Sequence, residues 1–99
     1  MQNENKPRAS MALQLLPLGS ETRLELIDQV IRRLQASGLS CQVCPFETVV
    51  EGSLDQVLEL LKACLELAGS SHENVFANVK INYGQILSTE EKLAPYSHD

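Results

Sequence analysis

The sequence predicts an α+β domain in which two helices pack on one face of a four-stranded antiparallel sheet. Three observations carry that prediction. Apolar and polar residues alternate over "MALQLLP" and "NVFANVKINYG", toward the two ends of the chain. Two longer segments between them repeat apolar residues at helical spacing and open on capping-box pairs. Between those segments lie two short strand-like runs, separated by Pro45, Phe46 and Glu47.

The elements follow in order. Residues 1–9 are polar, contain Lys6-Pro7 and lack periodicity, so they are expected to form a disordered leader ahead of one domain spanning 10–99 with a C-terminal tail. "MALQLLP" sets Met11, Leu13 and Leu15 on one side and Ala12, Gln14 and Leu16 on the other until Pro17 stops the strand. Thr22 and Glu25 form a capping box, and Leu24, Ile27, Ile31 and Leu34 are the expected buried stripe of a helix that ends before Gly38. Cys41–Cys44 and Thr48–Glu51 read as antiparallel neighbours joined by a tight connection. Ser53 and Gln56 open a second helix, with Leu54, Val57, Leu58, Leu61 and Leu65 as its stripe and Gly69 at its end. Val75, Ala77, Val79 and Ile81 then line one face of a last strand, and Phe76, Asn78, Lys80 and Asn82 the other. Ser88 and Glu91 cap a short final helix that Pro95 terminates.

The order strand, helix, strand, strand, helix, strand is that of a ferredoxin-like βαββαβ sandwich. Two helices cover one face only. The other face is expected to carry Gln14, Leu16, Glu47, Val49, Glu51, Phe76, Asn78, Lys80 and Asn82, a mixture too apolar to be left wet without a reason.

Composition bounds the function. With 99 residues, 43% of them hydrophobic, the chain is the size of one domain. Its net charge of −5 argues against nucleic acid as a partner, and the aromatic signature of an RNA-recognition domain is missing. No apolar run approaches the ~20 residues of a membrane span, and the first residues lack the apolar core of a secretory signal, so a cytoplasmic location is expected. The three cysteines, Cys41, Cys44 and Cys64, are an odd number for a disulfide framework. "CQVC" has the spacing of a redox or metal pair, but residues three apart on a strand point to opposite faces, and no second cluster completes a zinc site. His72 and His98 lie in polar surroundings and are expected to be exposed. There is no arginine-bearing phosphate loop, Gly-rich cradle or nucleophile with a recognisable base, so an acylphosphatase-like enzyme on this fold is not expected and no catalytic residue is assigned.

"ALQLLPLG", "IDQVI", "PFETVVEGSLDQVLELLK" and "VFANVKINYG" closely resemble segments of the small thiamine-binding proteins of the YkoF-like type, once classed as a domain of unknown function. The resemblance runs from about Met11 to Tyr96, and its strongest mark is the T-x-x-E-G of Thr48–Gly52 ahead of an acidic-apolar helix. It implies a ferredoxin-like fold, homodimers that pair into homotetramers through sheet surfaces, and binding of thiamine or its hydroxymethylpyrimidine part. It implies no metal, no cofactor and no reaction.

An aminopyrimidine needs donors and acceptors in a plane, and a thiazolium cation favours a carboxylate or an aromatic face. The resemblance assigns Glu47 or Glu51 to accept from the pyrimidine or balance the cation, Thr48 and Asn78 to bond the ring edge, and Phe46 to stack. Gln14 and Lys80 complete the ligand-binding set. Each has a structural alternative: Glu51 and Lys80 pairing with each other or across an interface, Thr48 as a strand former, Phe46 as corner packing. The competing function is a regulatory or interaction module whose sheet face serves oligomerisation, in which case these polar residues are interface hydrogen bonds.

Overall fold

The computed structural model describes residues 8–18 and 23–96. The strands are β1 (Ala9–Pro17), β2 (Ser40–Val43), β3 (Thr48–Gly52) and β4 (Val75–Tyr83). The helices are α1 (Arg23–Gln35), α2 (Leu54–Gly69) and α3 (Thr89–Leu93), the last followed by a 3-10 turn, Ala94–Tyr96. The sheet order β2-β3-β1-β4, antiparallel throughout, is that of the ferredoxin-like fold. Most of the expected leader, with Thr22 and His98, lies outside the described residues.

Register fixes the two faces. Met11 stands opposite Val50 on one side and Ile81 on the other, and Cys41 opposite Val50, so these residues share the face covered by α1 and α2. Ala9, Met11, Leu13 and Leu15 are buried there with Val50, against Leu26, Val30 and Leu34 of α1 and Val57, Leu60, Cys64 and Ala68 of α2. Strand β1 begins at Ala9, one residue ahead of the expected start, because Ala9 pairs with both Gly52 and Tyr83 and is fully buried.

Both helices are rotated from the stripes expected of them. In α1 the buried residues are Leu26, Val30 and Leu34, and Leu24 is exposed. In α2 Leu58 and Leu65 point outward, while the small residues Cys64 and Ala68 let the helix sit close to the sheet. Leucines occur on both sides of each helix, so two offset stripes satisfy the same spacing. The capping box of α2 forms as expected: Gln56 N–H donates to Ser53 Oγ at 3.1 Å, and Ser53 N–H to Gln56 Oε1 at 2.9 Å. Val79 and Ile81 share the helix-side face but lie toward the outer edge on β4, where they stay partly exposed.

The opposite face is not wholly open. A turn through Gly84, whose φ of +118° suits glycine, carries the chain from β4 toward α3. Ile86 is buried on the way, and α3 lies over the β3–β1 end of the second face, beside Ser10, Ala12 and Val49.

Candidate functional site

The β2–β3 hairpin positions the site. Cys44 N–H donates to Glu47 O at 2.9 Å, and Pro45, with its fixed negative φ, takes the corner. Phe46 is thereby pushed to the tip, where it is 81% exposed, an uncommon position for an aromatic side chain in a monomer. Between this hairpin, the end of β1 and α1 lies a cleft of about 180 Å³. Leu13, Leu15, Ile27, Val30 and Ile31 give it apolar walls. Gln14, Phe46, Glu47 and Thr48 also line it, so four of the seven expected residues meet at one place.

Two more join by side-chain contact. Asn78, opposite Gln14 in the β1–β4 register, donates from Nδ2 to Gln14 Oε1 at 3.0 Å. Lys80 Nζ stands 3.5 Å from Glu47 Oε1, an ion pair spanning the second face. Gln14, Glu47, Asn78 and Lys80 therefore form one polar surface beside the cleft, flanked by Leu16 and Phe76, which face each other across β1 and β4 and are both exposed.

Thr48 and Glu51 depart from expectation. Strand alternation places Thr48 opposite Leu13 and Val43, on the helix side rather than with Glu47 and Glu51, and it is buried. It reaches the cleft from within. Glu51, also buried, is drawn away from Lys80: its Oε2 accepts from Thr89 N–H and from Thr89 Oγ1, the latter at 2.9 Å. The Glu51–Lys80 pair weighed as their structural alternative does not form within the chain: Lys80 pairs with Glu47, and Glu51 clasps the first residue of α3. Burying a carboxylate is costly unless donors meet it, and Thr89 supplies two.

The same strand explains the final glycine of T-x-x-E-G. A Cβ on Gly52 would stand 2.9 Å from Gln56 Oε1, the atom that closes the α2 capping box, and 3.1 Å from Leu39. Residues the sequence reading missed are the α1 wall, Ile27, Val30 and Ile31, and Thr89. Ser88 and Glu91 signalled the start of α3, but nothing local marked where it docks.

Two of the three thiols are held in an unreactive form. Burial raises the pKa of Cys41 above its ordinary value, and burial raises that of Cys64 despite the opposing charge of Arg33, so both favour the unreactive protonated form at neutral pH. His72 is half-buried rather than exposed, its Nδ1 2.9 Å from Ser71 Oγ. Among the described residues no cluster of three or more His, Cys, Asp or Glu is placed to hold a metal, and no helix is long and apolar enough to cross a membrane.

Comparison with known proteins decides the family. The family model described as thiamine-binding protein matches residues 11–96, which includes every residue of the cleft and its polar surface. The chain belongs to this family. A UPF0045 protein of Clostridium perfringens is 33% identical over 90 residues, covering 88% of this chain and 95% of its own length. Among solved structures, a Streptococcus pneumoniae protein is 54% identical with a TM-score of 0.77, over 87% of this chain and 97% of that one. A Bacillus cereus domain of unknown function, DUF77, is 25% identical with a TM-score of 0.82, over 97% of this chain and 96% of that one.

Proposed function

We propose that this chain is a non-catalytic, cytoplasmic binding protein for thiamine or its hydroxymethylpyrimidine half, acting without metal or cofactor. The observation that carries the reading is the convergence of Gln14, Phe46, Glu47 and Thr48 on one apolar-walled cleft in a chain of the thiamine-binding family. Glu47 accepts from the exocyclic amine or faces the thiazolium, Gln14 and Asn78 offer amide donors and acceptors, and Phe46 stacks. Lys80 holds Glu47 toward the sheet until ligand arrives.

The cleft's volume of about 180 Å³ is less than the roughly 300 Å³ at which ligand pockets begin. It takes one ring. The rest of a thiamine molecule then lies on the polar sheet surface, where the second subunit of a homodimer or homotetramer covers it.

Calorimetry with thiamine and with hydroxymethylpyrimidine, beside a light-scattering mass, tests this. Saturable binding is expected, weakened about tenfold by Glu47→Gln or Asn78→Ala through loss of one polar contact, with the mass unchanged. The paired exposure of Leu16 and Phe76 favours a second reading, in which this face serves only self-association. Absence of heat and of thermal stabilisation in a well-defined oligomer would establish that reading instead.

A further inference from the structure

The second face holds another cleft, of about 320 Å³, between the sheet and α3. Its walls include Ser10, Val49, Lys80, Asn82, Lys92 and Leu93. Two lysines thus share one cleft in a chain whose net charge is −5. Two of the carboxylates near them are otherwise engaged. Glu51, in the row of Ser10 and Asn82, accepts two hydrogen bonds from Thr89, and Glu91 Oε1 accepts from Ser88 N–H at 2.8 Å. Lys92 forms no ion pair among the described residues, and Lys80 is paired with Glu47 alone.

That ion pair separates the two clefts. Glu47 lines the hairpin cleft and Lys80 the cleft beneath α3. At the mouth of the first cleft Gln14 and Glu47 each stand one same-face position from Ala12 and Val49, which line the second, about 7 Å away along an extended chain. A molecule with a cationic or amine-bearing ring in the first cleft and an anionic group in the second exchanges the Glu47–Lys80 pair for two pairs of its own. Loss of one exposed ion pair costs little, and each charge gains a new partner.

We propose that the cleft beneath α3 is a phosphate site, so that the preferred ligand is a phosphate ester of thiamine or of hydroxymethylpyrimidine, with Lys80 and Lys92 as the anion's partners and Ser10 and Asn82 as hydrogen-bond donors. The inference rests on the ring being held in the hairpin cleft. Ala12, Val49 and Leu93 supply apolar wall for the linking carbons.

The test is titration of the isotope-labelled chain with thiamine, thiamine monophosphate and hydroxymethylpyrimidine monophosphate, read by calorimetry and by backbone amide shifts, with Lys92→Gln alongside. At least one ester is expected to bind about tenfold tighter than thiamine and to shift the amides of Thr89–Leu93 and Asn82. Lys92→Gln, on an exposed position, removes that advantage and leaves thiamine affinity unchanged; added salt acts the same way. Thiamine binding with no advantage for either ester, or ester shifts confined to residues 44–48, would overturn the phosphate site and leave the thiamine reading intact. Shifts at Thr89–Leu93 from an ester, with no response to thiamine, would support the phosphate site and remove the thiamine reading. Silence from all three ligands would remove both.

Discussion

Glu47, just ahead of β3, and Glu51, within it, point to one face and are separated by a single intervening same-face position, yet they do opposite things. Glu51 is buried, its carboxylate spent on two donors from Thr89, and it fastens α3 to the sheet. Glu47 is about a third exposed and pairs with Lys80, itself mostly in solvent. The difference lies in what covers each end of the face. Where α3 lies on the sheet, a charge has been made structural; where no described element lies on it, a charge stays in a solvent-facing ion pair. Two acids in one motif are therefore not a catalytic or binding pair by default, and burial with satisfied partners tells which is which.

The largest effect that can break this comparison is expected from Glu51→Ala. It strands the Thr89 amide and should cost about 2 kcal/mol in urea unfolding, with loss of hydrogen-exchange protection in α3. An unchanged midpoint would mean that the clasp holds nothing. Gly52→Ala, which crowds the α2 cap, should cost about 1 kcal/mol by the same measurement. At the open end the numbers shrink. Asn78→Ala removes one exposed hydrogen bond and should lower stability by about 0.5 kcal/mol, while thiamine affinity falls far more in proportion. Smallest is the Glu47–Lys80 pair: a double-mutant cycle with Glu47→Gln and Lys80→Gln should give a coupling below about 0.5 kcal/mol that vanishes at high salt. A coupling several times larger would make Glu47 as structural as Glu51.

Much of the fold was legible. Alternation on β1 and β4 assigned the faces of Met11, Leu13, Leu15, Ala77 and Asn78 correctly, and the boxes at Ser53 and Ser88 marked two helix starts, because both signals are local. The helix stripes were misphased because leucine surrounds both helices and because Cys64 and Ala68 bury by being small, which a search for large apolar residues passes over. The site was half legible. Gln14, Glu47, Asn78 and Lys80 do form one surface, and Phe46 stands beside it. The partner of Glu51 was hidden: Thr89 is 38 residues away, and only the chain's path through Gly84 brings it there.

The strand order has a consequence for how such a chain is made. Strand β1, synthesised first, lies between β3 and β4, the third and fourth to appear. Until Val75–Tyr83 has left the ribosome, one whole edge of β1 has no partner, and Leu13 and Leu15 lack part of their cover. Pairing across so much intervening chain is slow compared with helix formation. A nascent chain halted before β4 would thus hold two formed helices against a three-stranded remnant with β1 left as an unpaired edge, the state in which a chaperone would find most to grip.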